Sequence, residues 1–108
     1  MTAELTPPLS SYFDATNSHD ASAVAGLFGE TAVVHDEGQD HCGQAAIRDW
    51  AQSTYEKYDV RLTPHDVHSD GEAMVVFTTV AGSFLGSPIN LKFRFVTDGD
   101  RIEALTIG

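Results

Sequence analysis

Beyond Asp59 the hydrophobic pattern changes period, and that change constrains the fold more than any single motif. Before it, apolar residues recur mostly at helical spacing; after it, they alternate. Val60 and Leu62 alternate with charged residues, and Pro64 is expected to break or bulge that strand, because proline cannot donate to a ladder. Asp70-Gly71 reads as a hairpin turn. Glu72 to Leu85 reads as one long strand, apolar on both faces and central in a sheet, with Gly82 marking a bulge or bend. Gly86-Ser87-Pro88 turns the chain, and Ile89, Leu91, Phe93 and Phe95 then form one buried strand face. Asp98-Gly99-Asp100 is another turn, and Arg101 to Ile107 is the last strand.

The first half reads as three helices with one strand among them. Leu5 to Asn17 is the first helix, capped by Thr6, with Pro7 and Pro8 in its first turn, where no amide donor is needed. Leu9, Tyr12, Phe13 and Thr16 form its apolar face. Asp20 caps a second helix, Ala21 to Phe28, which Gly29 terminates. Thr31 to Glu37 is a strand whose alternation sets Val34 and Asp36 against Val33, His35 and Glu37. Gly38 to Gly43 is a polar turn or short return strand. Gln44 to Tyr58 is the third and longest helix, with Ile47, Trp50, Ala51, Thr54, Tyr55 and Tyr58 along its inner face. The order implies an α+β layout: three helices packed on one side of a strongly curved, mainly antiparallel sheet that encloses a conical cavity.

Size and charge narrow the functions. A chain of 108 residues is expected to form a single domain spanning 1–108. Its net charge of -10 would be repelled by phosphate backbones and anionic lipid, so nucleic acid and membrane are poor partners. Met1-Thr2-Ala3-Glu4 carries no basic segment followed by an apolar one, which argues against a signal peptide. A single cysteine forms no internal disulfide, and a cytoplasmic protein is the expectation.

Chemistry-bearing side chains concentrate between Thr31 and Trp50, where His35, Asp36, Glu37, Asp40, His41 and Cys42 follow an apolar run. Strand parity turns His35 away from Asp36, and His41-Cys42 lacks the spacing of a structural zinc motif, so no metal site is expected. Cys42 reads as a buried thiol at the helix entry rather than a nucleophile, since its neighbour His41 points elsewhere. His35 reads as hydrogen-bonded or partly exposed rather than as a second acid/base group. Asp36, at the end of an apolar strand, either lines a cavity or caps the following turn.

Several segments carry a resemblance to the nuclear transport factor 2-like superfamily, within it to small SnoaL-like and ketosteroid-isomerase-like proteins with a cystatin-like roll. They are Tyr12-Phe13-Asp14-Ala15-Thr16-Asn17-Ser18-His19-Asp20, Leu27-Phe28, Ala32-Val33-Val34-His35-Asp36, Gly43-Gln44-Ala45-Ala46-Ile47-Arg48 and Phe93-Arg94-Phe95. The resemblance covers nearly the whole chain. It implies that Asp36 stands where such isomerases place a catalytic base, and Tyr12 where they place an oxyanion-stabilising phenol. Those isomerases also carry a protonated aspartic acid two residues before the Phe-Arg-Phe segment; here that residue is Leu91. Asn90 is adjacent, but alternation points it to the opposite face unless a bulge at Pro88 intervenes.

The expected function is therefore a cofactor-independent acid/base enzyme acting on a small hydrophobic molecule by isomerase- or cyclase-type proton transfer, or by water activation. Asp36 and Tyr12 are its catalytic residues, and Trp50, Phe93, Leu91 and Val34 its pocket wall. The alternative is a non-catalytic ligand-binding or assembly module, which the leucine at 91 favours. A homodimer is expected as well, through an open sheet face carrying Val75, Phe77 and Val96.

Overall fold

The computed structural model describes residues 5–108, and Met1–Glu4, on which the leader was judged, lie outside the described residues. Three helices, α1 (Leu9–Asn17), α2 (Ala21–Gly26) and α3 (Gln44–Tyr58), accompany six strands. These are β1 (Phe28–Asp36), β2 (Gln39–Cys42), β3 (Arg61–Asp70), β4 (Ala73–Ala81), β5 (Ile89–Asp98) and β6 (Arg101–Ile107). They form one curled mixed sheet in the order β2-β1-β6-β5-β4-β3. All neighbours are antiparallel except β1 and β6, which pair in parallel, so the last strand inserts beside the first.

The core forms where the helices meet the concave face of the sheet. Tyr12 and Phe13 of α1 pack against Phe28, Phe93 and Phe95, with centroids 5.3 Å apart for Tyr12–Phe95 and 5.8 Å for Phe13–Phe93. Ile47 of α3 and Leu105 and Ile102 of β6 complete it, all fully buried. On β5, Phe93 and Phe95 are buried while Lys92 and Arg94 are exposed, as the period-two pattern requires.

Several boundaries differ from the sequence expectation. The first helix begins at Leu9 rather than Leu5, and its N-cap is Pro8 without a side-chain cap. Thr6 contributes only its backbone carbonyl, to Ser10 N at 3.1 Å. A residue preceding proline is pushed away from helical geometry, and Thr6 and Pro7 both precede one. The second helix stops at Gly26, and Phe28 and Gly29 belong to β1. Phe28 lies opposite Ile102 of β6, and the Ile102 amide donates to the Leu27 carbonyl at 2.9 Å. That long-range pairing captures Phe28 from the helix. Gly29 thus lies inside the strand instead of ending the helix, and the Glu103 carboxylate rests in the space that a Cβ would take.

β4 ends at Ala81, and Gly82 opens a loop rather than bulging the strand. Gly82 N donates to Ser87 Oγ at 2.9 Å and Ser83 N to the Tyr58 carbonyl at 2.6 Å, tying this loop to the end of α3. One face of β4 is buried through Val76, Thr78 and Val80, whereas on the other Ala73 alone is buried. Val75 and Phe77 on the other face are half-buried, as is Val96, and the Phe77 ring is flanked by His68 and by Lys92 Nζ. β3 shifts register between Pro64 and Asp66, where the proline interrupts the ladder.

The α1–sheet contact is pinned by Asn17. Its Nδ2 donates to the Leu62 carbonyl at 2.8 Å and its Oδ1 accepts from Leu62 N at 2.7 Å, so one amide satisfies both backbone groups of a buried β3 residue. Asn17→Ala leaves those two groups unpartnered and is expected to destabilise the fold by about 1–3 kcal/mol, read from urea unfolding.

Candidate functional site

β1 delivers Asp36 to the edge of the core. Val34, two residues earlier, is fully buried; Asp36, on the same strand face, is only partly covered. Beside it lies a cavity of about 370 Å3, at the lower end of the range of about 300–1,000 Å3 typical of ligand pockets. Tyr12 and Thr16 of α1 close one end. The inner face of α3 supplies Trp50, Ala51, Thr54, Tyr55 and Tyr58. The sheet contributes Leu62, Val80, Leu91, Phe93 and Ile107. Phe84 and Leu85 of the loop after β4, with Ile89 at the start of β5, form an apolar lip, and Leu85 and Ile89 are the exposed large hydrophobic residues of the described chain.

The structure thus brings Asp36, Tyr12, Trp50, Leu91 and Phe93 to one cavity. It does not bring Val34 there: that side chain faces inward as parity requires, but lies in the packed core rather than on the cavity wall. Asn90 is also elsewhere. It is exposed on the opposite face, where its Oδ1 accepts from Thr79 Oγ1 at 2.8 Å, and no bulge turns it inward.

The Asp36 carboxylate is held by a side-chain donor on α3. Trp50 Nε1 donates to its Oδ2 at 3.1 Å. Burial pushes the Asp36 carboxyl above the usual carboxylate range, because removing water penalises the charged form. The indole bond opposes this, and the neighbouring Glu37 charge adds to it. Tyr12 is buried, and its phenol is pushed far above its ordinary value, first by desolvation and then by Tyr55. At neutral pH it is a hydrogen-bond donor, not a phenolate.

Glu37 lies where alternation did not place it. Asp36 pairs with Gln39, leaving Glu37 and Gly38 as a two-residue hairpin loop with φ of 52° and 74°. Two left-handed residues end the strand pattern, so Glu37 borders the cavity beside Asp36 instead of facing away. Its Oε2 accepts from the Tyr58 hydroxyl at 3.3 Å. Thr16 and Tyr55 are further cavity residues that the sequence presented only as parts of helix faces.

The other polar residues of the Thr31–Trp50 stretch disperse. His35 is exposed and pairs through Nδ1 with Asp40 across the hairpin. Cys42 is exposed on β2, not buried at the helix entry, because the return strand carries it to an outer sheet edge. His41 lies against Trp50, with ring centroids 6.0 Å apart. His65 and His68 sit on β3, engaged with Thr79 and Phe77. Among the described residues no group of three or more His, Cys, Asp or Glu side chains is arranged to hold a metal ion, and no helix is long and apolar enough to cross a membrane.

Comparison with known proteins agrees with this geometry. A crystal structure of a protein provisionally described as a polyketide cyclase, from Sinorhizobium meliloti, is 34% identical over 93% of this chain and 92% of that chain, with a TM-score of 0.88. A Catenulispora acidiphila protein described as having a ketosteroid isomerase-like fold, in complex with trimethylamine, is 19% identical over 95% and 86% of the two chains, with a TM-score of 0.82. The epoxide hydrolase/cyclase-like enzyme SalBIII, described in pyran ring formation in salinomycin, is 22% identical over 92% and 84%, with a TM-score of 0.79. The latter two likenesses establish the fold alone. No curated protein sequence matches the chain. The family model for the SnoaL-like domain matches residues 9–104, and the chain belongs to that family, with its nuclear transport factor 2-like roll.

Proposed function

We propose that this protein is a cofactor-independent acid/base enzyme that moves a proton beside a carbonyl of a compact hydrophobic molecule, giving isomerisation or ring closure. The observation that carries this reading is the Asp36 carboxylate at the wall of an otherwise largely apolar cavity, with its pKa raised by burial. The provisional cyclase description of the 34% identical relative supports the same class.

In this reading Asp36 takes the proton from the carbon next to the carbonyl. The C–H electron pair forms the enolate double bond, and the carbonyl oxygen gains negative charge. The Tyr12 phenol donates a hydrogen bond to that oxygen. The enolate carbon system then either recovers the proton from Asp36 at another position or attacks a second carbonyl carbon in the same molecule, whose C=O π pair passes to its oxygen; that oxygen takes the proton from Asp36 as the ring closes. Raising the carboxyl pKa toward working pH strengthens the base without abolishing its ionised form. With Leu91 in place of an acid, that wall donates no second hydrogen bond, so the site suits carbons already acidified by a further activating group. The same leucine supports the second reading, in which the cavity binds a ligand without turnover.

2-Tetralone, a compact ketone with an activated α-carbon, tests the mechanism. The protein is expected to accelerate deuterium exchange at that carbon above the buffer rate, followed by NMR. Asp36→Asn should lower the acceleration by about 10²–10⁴-fold and Tyr12→Phe by about 10²–10³-fold. Unchanged exchange in Asp36→Asn would leave only the binding reading.

Burial of Asp36 has a stability consequence. Its folded pKa is raised, so the stability it contributes is complete below the unfolded-chain pKa and is lost as pH rises through the folded value. At neutral pH its charge is a net cost. Asp36→Asn is therefore expected to raise the melting temperature at pH 7, and the gain should shrink as pH falls toward about 4.

A further inference from the structure

Single apolar side chains scattered over a surface need no explanation, but exposed ones gathered at one place do. Among the described residues the exposed large hydrophobics are Leu85, fully exposed, and Ile89, 39% exposed, and both stand at the cavity mouth. They continue an apolar path that starts inside. Ile89, Leu91 and Phe93 alternate along one face of β5, and all three border the cavity. Exposure falls along that face, from 39% at Ile89 through the half-buried Leu91 to 3% at Phe93. At the rise of an antiparallel strand this path is about 14 Å long.

The loop that carries Leu85 is braced at its base. Ser83 N donates to the Tyr58 carbonyl at 2.6 Å, Gly82 N to Ser87 Oγ at 2.9 Å and Ser87 N to the Phe84 carbonyl at 3.2 Å. The Phe84 ring meets the Tyr58 ring edge-on, with centroids 5.8 Å apart. Leu85 is thus presented at the mouth by a held turn, and its side chain adds no burial to the free protein. An anionic lipid surface does not suit it, because the chain carries a net charge of -10 and Glu37 borders the same mouth. The polar side of the mouth is engaged internally, the Tyr58 hydroxyl donating to Glu37 Oε2 at 3.3 Å. The apolar side remains for a ligand.

We propose that Phe84, Leu85 and Ile89 form the outer half of the ligand site, a clamp for an apolar extension of the ligand, with Leu85 as the residue that selects for that extension. The inference rests on the reading of the cavity as a site for a hydrophobic carbonyl compound and adds the shape of that compound. Its carbonyl end lies between Tyr12 and Asp36, and an alkyl or aryl group at the remote end reaches the lip. A bare two-ring ketone occupies the inner part alone and leaves Leu85 in water. A ketone with an apolar extension covers Leu85 and Ile89, and removing that surface from water stabilises the complex without affecting the free protein. The extension needs no charge, since the carboxylate and phenol beside it already bond to one another.

Calorimetric binding of 2-tetralone and of 6-butyl-2-tetralone to the wild type and to Leu85→Ser separates the two halves of the site. The butyl group, on the ring end remote from the carbonyl, is expected to tighten binding to the wild type by about 10- to 100-fold. Leu85→Ser removes about 3- to 10-fold of that gain and leaves the affinity for 2-tetralone unchanged. Ligand-free, the two proteins share one melting temperature and one mass by light scattering. A butyl gain that is absent in the wild type, or undiminished in Leu85→Ser, overturns the clamp. Equal losses for both ketones overturn it too, because Leu85 would then not distinguish the extension. A change of mass on substitution assigns the leucine to a contact between copies, and a lower melting temperature assigns it to the packing of the fold; either result overturns the clamp. The two readings fail separately. Absent deuterium exchange with a Leu85-dependent butyl gain removes proton transfer alone, and exchange without that gain removes the clamp alone.

Discussion

A carboxylate withdrawn from water, with the indole N–H of Trp50 on one oxygen, is the interaction on which the site depends. In water Asp36 would be an ordinary acidic side chain. At the rim of an apolar cavity its charge is penalised, and the indole donor, with His41 and the Glu37 backbone beside it, compensates only in part. That balance leaves a base stronger than an exposed aspartate. It also fixes the carboxylate in direction, because Trp50 projects from α3, a helix of 15 residues anchored in the core by the fully buried Ile47 and by Ala51.

The cavity exists because the helices and the curled sheet do not close completely on one another. Near α1 the aromatic residues interlock, and Phe28, Phe93 and Phe95 fill the space under Tyr12. Toward the C-terminal end of α3 the wall passes from core residues to Thr54, Tyr55 and Tyr58, and the loop after β4 rises against Tyr58 to supply the lip. One end is thus packed and polar only through hydroxyls, and the mouth carries Glu37 and the exposed Leu85. The cavity is thus apolar on its flanks and presents hydrogen-bonding groups at defined places, the arrangement by which small cavities obtain orientation as well as affinity.

Local signals in the chain made much of this legible. Gly43, at φ 85°, and the left-handed Asp59, at φ 49°, flank α3, whose extent Gln44–Tyr58 follows from its amphipathic face. The alternation in β5 and the register shift after Pro64 likewise follow from residues a few positions apart. What was not legible depends on partners distant in sequence. The parallel pairing of β1 with β6 decides that Phe28 is strand rather than helix. The bond from Ser83 N to the Tyr58 carbonyl decides that β4 stops and a lip begins. For the site, alternation predicted the inward direction of both Val34 and Asp36 but not their depth, so it could not tell core from cavity wall. Glu37 escaped because a left-handed turn breaks the parity on which the reading relied. Thr16 and Tyr55 escaped because nothing in a helix face distinguishes a packed hydroxyl from an unpartnered one.

The central claim is that Asp36 is a desolvated carboxyl poised for proton transfer. Its carboxyl 13C resonance, followed through a pH titration of the intact protein, tests that claim most directly. The account predicts a midpoint clearly above the value of about 4 for an aspartate in a model peptide. A midpoint at or below that value would mean that water reaches the carboxylate freely or that its donors outweigh its burial, and would contradict the account.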